Sequence, residues 1–404
     1  MRLQEAFGSI FFHAVGGVAN GSRVPLARRN VLADKRRLAR SAAGIAFAVL
    51  LMMVELGFRS AFIESMLLAM RQLDGDIMLV SATKYQFDRR APFSRRQLYE
   101  ARSVPGVDTA GPVYVERILS VWKNPQNHRL FAVLVFAFDP DQPVFLLPEV
   151  ADKLDALRQP DTVMVDRRAR SVLGVASTGT ETELARRRVR VVGTFWLGPN
   201  FFTDGNLIMS DRNFHKLLGG GSPDATNLPD IEVGVIKVLP GHDVAQVQRA
   251  IRAALPANVA VLTKDELIDR ERRFHASVSP VGPIFNVGTL VGFAVGIMIC
   301  YQILFSELSD QLSQYATLKA MGYPDRFLTN VVLQQAVFYA LVGYGPAWIL
   351  CFLLFRLLSD VVLLPMGMTA DLTAISLALT LVMCIAAALI AVRRVIAADP
   401  ADVF

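Results

Sequence analysis

Four apolar windows constrain this 404-residue chain more than anything else in it. Residues 41–58 carry one charge, Glu55, while 283–305 and 373–392 carry none. Residues 327–358 are apolar apart from Asn330, Gln334, Gln335 and Arg356. Each window approaches the ~20 helical residues that cross ~30 Å of hydrocarbon. Core helices of soluble proteins show a charged face over such a length, so four membrane spans are the expected reading.

Lysine and arginine asymmetry sets the orientation. Arg23, Arg28, Arg29, Lys35, Arg36, Arg37 and Arg40 crowd the flank before the first window, and only Arg59 and Arg71 follow it closely. Arg393 and Arg394 follow the last window, and residues 359–372 hold no Lys or Arg. Both termini are therefore expected in the cytoplasm. Lys264, Arg270, Arg272 and Arg273 run against this, but long translocated domains weigh little in the rule. The net charge of +6 sits largely at the flanks, where anionic headgroups account for it without nucleic acid. In residues 1–40 the apolar run Phe7–Ala19 is too short to span, and Glu5 and His13 weaken a signal peptide. A cytoplasmic amphipathic segment lying on the membrane is expected there.

The layout is then a first span at 41–60, an outer domain at 61–279, spans at 280–305, 328–358 and 373–392, an outer loop at 359–372 and a tail at 393–404. The outer domain has two similar ends. Asp76–Ser81, Ser94–Arg102 and Val107–Tyr114 read as strand, helix and strand; Ile231–Leu239, Asp243–Ala254 and Val259–Leu262 read the same way. Two such units on one sheet make a split βαβ, porter-like part over 61–140 and 231–262. Arg129–Phe138 adds an apolar strand. Residues 141–230, with short strands at Thr162–Val165, Val189–Phe195 and Asn206–Ser210, read as an inserted, mostly β subdomain. The basic run Arg186–Arg188 with Arg190 suits a solvated strand edge or a contact for acidic partners. A charged helix, Asp265–His275, forms a stalk over 263–279 that Pro280 and Pro283 interrupt. The fold class is an α-helical membrane protein with four transmembrane helices, arranged 1 + 3, and a large α+β outer domain.

Residues 306–327, SELSDQLSQYATLKAMGYPDRF, form a polar helical segment wedged between two spans. Leu308, Leu312 and Tyr315 share one face, and Gly322 and Pro324 supply a stop. Gly288, Gly292 and Gly296 recur at i, i+4 and i+8 in the second span, leaving a groove for close approach of another span or of a second copy. Gly343, Gly345 and Pro346 are expected to kink the third span and divide its long window. Glu55 and Arg59 stand four apart, which suits an interfacial ion pair over a proton relay.

No GxxxxGK[ST], HExxH or GxSxG occurs, and His13, His128, His215, His242 and His275 are scattered. Cys300, Cys351 and Cys384 lie inside spans, so no disulfide framework or CxxC metal site is expected. No catalytic, cofactor or metal residues are assigned.

In layout and residues the chain resembles the MacB/FtsX-type permeases of ABC transporters. Gln314, Tyr315, Ala316, Thr317, Leu318, Lys319, Ala320, Met321, Gly322 and Tyr323 match that family's polar helix ending in an LkAlG-like turn. YATLKAMGY, together with residues 25–32, PLARRNVL, is most similar to the DevC branch. The resemblance implies a bacterial inner-membrane permease, working as a dimer, whose cytoplasmic coupling helix at 314–323 docks a separate ATPase that binds ATP and magnesium. It implies a periplasmic adaptor, an outer-membrane channel, and lipids, glycolipids or peptides as cargo. An FtsX-like regulator of a cell-wall hydrolase and a lipoprotein-releasing permease are the alternatives. A ligand sensor without an ATPase partner is a reading from another class.

Overall fold

The structure, a computed structural model, describes residues 35–219, 230–310, 321 and 324–396. Most of the 1–40 segment, residues 220–229 of the insert, most of the polar segment and the end of the tail fall outside the described residues.

Four described helices are long and apolar enough to cross a membrane. Helix α1 is Lys35–Arg71, and it continues well past the expected span end at residue 60. Between it and the second long helix lie β1 (Ile77–Ser81), α2 (Arg95–Arg102), β2 (Val107–Glu116), β3 (Val121–Lys123), β4 (Leu130–Ala132), β5 (Leu134–Phe138), α3 (Pro148–Ala151), α4 (Leu154–Leu157), β6 (Thr162–Asp166), β7 (Glu181–Leu184), β8 (Arg187–Phe195), β9 (Asn206–Ser210), α5 (Asp211–Leu218), β10 (Val233–Val238), α6 (Val244–Ala254), β11 (Val259–Thr263) and α7 (Lys264–Arg273). A π-helical turn at Phe274–Val278 leads to the remaining long helices, α8 (Val281–Asp310), α9 (Asp325–Val362) and α10 (Ala370–Ile396).

The described residues form two units. One comprises Met52–Val291 and Leu350–Thr373 and holds the sheet; the other comprises Met1–Leu51, Gly292–Ile349 and Ala374–Phe404.

The sheet order is β11-β1-β10-β2-β5-β9-β6-β8-β7-β3-β4. Its first four strands are antiparallel neighbours, and they interleave β1-α2-β2 with β10-α6-β11. This is the split βαβ arrangement. Ser94 caps α2 and Asp243 caps α6, each side chain accepting from a first-turn backbone N–H. Val247 and Ile251 of α6 and Leu98 and Ala101 of α2 bury against one sheet face.

The insert does not form a separate layer: β6, β8 and β9 extend the same sheet. The single apolar strand expected at Arg129–Phe138 is broken at Val133, giving β4 at the sheet's last edge and β5 in its middle. One residue spans at most about 7 Å, so the far edge must curl back beside β5. The local cause is visible at the break. Val133 donates to Ser120 O (3.1 Å) while Leu134 donates to Gly205 O (3.0 Å), which points successive residues to different partners.

Strand residues alternate between two buried faces. Ile77, Leu79, Val135 and Ala137 face the α2 and α6 side. Met78, Val80, Leu134, Phe136 and Phe138 face the other, where the upper part of α1 (Phe62, Leu67, Met70) and Leu267 of α7 cover them. Burial on both faces explains why β1, β5, β6 and β9 have no polar alternation.

Helix α9 runs unbroken through Pro346, so the glycine–proline cluster does not divide it. A lone proline costs one backbone hydrogen bond, which a long, apolar, packed helix tolerates.

A buried ion pair closes the loop after β1. Lys84 Nζ lies 3.1 Å from Glu232 Oε2, with their side chains 2% and 3% exposed. Lys84 also donates to Arg89 O, and Ala91 N donates to Glu232 (2.9 Å). Burial pulls the Lys84 amine below its usual range, with Glu232 opposing that shift. Removing one member strands a buried charge, whereas removing both does not. Glu232→Ala is expected to destabilise the sheet domain by about 3–5 kcal/mol in denaturant unfolding, and Lys84→Met/Glu232→Leu by much less. Equal losses in the two variants would refute this account.

Candidate functional site

Two buried polar joints stand out, one in each unit. The first lies where α1 and the stalk meet the sheet. Glu271, on α7, accepts from Phe87 N through both carboxylate oxygens (3.1 Å each) and stands 3.1 Å from His275 Nε2. His275 is fully buried in the π-helical turn, edge-on to Phe62 of α1 at 5.5 Å. The capping box Thr263–Glu266 fixes the start of α7, and Ser279 turns extended before Pro280, which ends the stalk. One carboxylate therefore ties the stalk to the loop after β1.

Asp88 in that loop is buried, with Arg117 Nε 3.0 Å away and neither carboxylate oxygen otherwise partnered. Burial raises its affinity for a proton above the ordinary carboxylate range, and Arg117 opposes that shift. Asp88, Glu271, Ser65, Gly198 and Asn206 line a small crevice. Buried Asp166 holds the neighbouring loop by accepting from Leu197 N (3.2 Å), Gly198 N (2.7 Å) and Asn206 Nδ2 (2.8 Å).

The second place is the last turn of α8, where the polar segment begins. Glu307 is buried and accepts from Ser41 Oγ (3.2 Å) and Tyr339 Oη (2.6 Å), joining α1, α8 and α9. Cys300 and Cys384 bring α8 and α10 together, with sulfurs 3.6 Å apart.

The residues singled out in the sequence distribute as follows. Gln314, Tyr315, Ala316, Thr317, Leu318, Lys319, Ala320, Gly322 and Tyr323 lie outside the described residues, whereas Met321 is described and 63% exposed. Gly288 and Gly296 pack within the chain. A methyl group on Gly288 would come within 2.8 Å of the Glu55 carboxylate, and one on Gly296 would collide with Met383 Sδ. Gly292 is half-buried between them. Gly343 faces Ile45, with room for no Cβ, and Gly345 is open. The Glu55–Arg59 ion pair is not made. Glu55 turns to the space left at Gly288, and Arg59 Nε is buried without a hydrogen-bond partner.

Sequence reasoning missed Glu271 with His275, and also Asp88, Asp166 and Glu307. The i,i+4 spacing of Glu271 and His275 is a signal, but it sits in a run of charges that reads as solvated.

Residues 41–254 match the MacB-like periplasmic core domain, and residues 286–400 match the FtsX-like permease C-terminal. A Mycobacterium bovis chain named as an uncharacterised ABC transporter permease is 27% identical over 387 residues, covering 94% of this chain and 98% of its own length. A Mycobacterium tuberculosis permease of the same description is 24% identical over 317 residues, covering 78% and 79%. Among solved structures, the periplasmic region of MacB from Actinobacillus actinomycetemcomitans is similar at TM-score 0.35 and 11% identity, covering 49% of this chain and 92% of its own. The extracellular domain of the transporter YknZ from Gram-positive bacteria is similar at TM-score 0.32 and 8% identity, covering 46% and 98%.

Asp88 gives this site a pH signature. A raised native pKa means that its stabilising contribution is complete below about 4 and is lost as pH rises through the raised value. The melting-temperature difference between Asp88→Asn and the parent chain should therefore grow in the mutant's favour from pH 4 to pH 7, read by thermal unfolding of the full chain. A pH-independent difference would contradict the assignment.

Proposed function

We propose, on the premise that this chain belongs to the family of MacB-like and FtsX-like ABC transporter permeases, that it transmits the work of a separate cytoplasmic ATPase to its sheet domain in the periplasm. Its relatives are named permeases, so it is a transport subunit and not itself the ATPase. The observation that carries the reading is the path of α8. This uninterrupted helix of 30 residues is about 45 Å long. It begins at Val281, a few residues after the Glu271–His275 joint, and runs to Asp310, taking in Glu307 and the first residues of the polar segment. A helix of that length is enough to cross the hydrocarbon, and in this reading it carries a displacement of residues 314–323 toward the stalk.

In this reading ATP and magnesium are held by the partner, and Gln314–Tyr323 forms the docking surface. Met321, an exposed apolar side chain at the end of that surface, suits a hydrophobic pocket on a soluble subunit. The protein sits in a bacterial inner membrane with both termini cytoplasmic, as the basic flanks imply. We further propose a dimer, with a periplasmic adaptor and an outer-membrane channel as partners. The DevC-like YATLKAMGY segment supports that assembly. Export of lipids, glycolipids or peptides is favoured over regulation of a hydrolase because the MacB-like match covers the sheet domain itself.

Leu318→Asp or Met321→Asp is expected to abolish stimulation of the partner's ATPase while the purified permease keeps its parent melting temperature. Full stimulation in both variants would overturn the docking assignment.

A further inference from the structure

The loop after β8, residues 196–205, carries three aromatic side chains outside the sheet. Trp196 is 56% exposed and Phe202 is 37% exposed. This exposure does not come from a loose loop. Asp166 accepts from two of its backbone N–H groups, and Asn200 Oδ1 accepts from Phe202 N, Thr203 N and Thr203 Oγ1, each at 2.9 Å. Gly198 takes φ +106, a conformation that glycine adopts without strain. The protein thus holds large apolar rings in water-accessible positions by a built scaffold.

The loop's neighbours say what covers it. Phe62 of α1, just beyond the first apolar window, packs edge-on against Phe201 at 5.1 Å and Phe202 at 6.0 Å. The same ring lies 6.2 Å from Phe285, at the start of the second span. The finger therefore stands where two helices enter the membrane. On α8 and the turn before it, Val278, Ile284 and Val287 are exposed and continue the apolar surface toward the span. Positive charge accompanies the rings. Arg168 stacks over Trp196 at 5.7 Å and forms no ion pair among the described residues. Arg117 stacks over Phe202 at 5.1 Å. Arg117 already pairs with Asp88, which leaves Arg168 as the guanidinium for a headgroup; aromatic rings with such an arginine, at the end of a span, match the headgroup zone of a bilayer, where rings favour the interface and a guanidinium favours phosphate.

We propose that residues 196–203 form a membrane finger that seats in the leaflet next to the sheet domain and binds anionic phospholipid headgroups, Trp196 supplying depth and Arg168 the charge selection. This goes beyond the coupling role and needs no ATPase.

The test uses the full chain in nanodiscs whose lipids carry brominated acyl chains, with phosphatidylglycerol mixed into phosphatidylcholine or with phosphatidylcholine alone. Subtracting the Trp196→Phe spectrum isolates Trp196 from Trp122 and Trp348. The Trp196 signal is expected to lose more than half its intensity to brominated lipid and little to aqueous iodide. Arg168→Gln is expected to reduce the lipid quenching in the phosphatidylglycerol discs only. Quenching by iodide without quenching by lipid would overturn the finger. Equal lipid quenching in the two disc types, unchanged by Arg168→Gln, would overturn the charge selection. Loss of ATPase stimulation leaves both results unaffected, so failure of the coupling reading is distinguishable.

Discussion

Everything in the sheet unit depends on the burial of the upper turns of α1 against the sheet. Phe62, Leu67 and Met70 cover a large part of the face formed by Met78, Val80, Phe136 and Phe138, and without them that part would be bare. An exposed patch of that kind is not tolerated in a soluble domain. The upper turns of α1 are therefore part of the domain's own core, not a linker leading to it.

The stalk reaches the same sheet by a different chemistry. Where α1 relies on apolar packing, α7 adds polar ties to the contact of Leu267, chief among them the carboxylate of Glu271, shared between a backbone amide and His275. Hydrophobic contacts tolerate small slides, because dispersion and burial vary slowly with displacement. A buried carboxylate bound to an amide does not, because an unmet charge costs several kcal/mol. The attachments of α1 and α7 to the sheet are thus unequal: that of α1 is broad and apolar, and that of α7 adds a discrete polar contact. Under the proposed coupling, the discrete attachment is suited to a switch between two positions, and it is the one that continues into α8.

What the sequence made legible follows from the range of the forces involved. The spans, the caps Ser94 and Asp243, and the interleaved βαβ halves rest on periodicity and local hydrogen bonds, and they could be read residue by residue. The curl of the sheet could not, because it depends on Val133 pairing with Ser120 while its neighbour pairs with Gly205, contacts that no local pattern encodes. The buried charges were hidden for another reason. Lys84 and Asp88 stand in a stretch of turn-forming and charged residues, which composition reads as solvent. Glu55 and Arg59 show the same limit from the other side. Their spacing permits an ion pair, but the space left at Gly288 draws the carboxylate elsewhere.

The glycines of the second span acquire a meaning different from a bare approach motif. Gly288 makes room for a carboxylate, and Gly296 makes room for a methionine. A carboxylate is a demanding neighbour in hydrocarbon, whereas a thioether is an adaptable one. A methyl group at Gly288 would therefore press on a charge, whereas one at Gly296 would press on a side chain that can move aside. Each glycine thus answers a neighbour within its own unit, and both places are filled by this chain's own side chains.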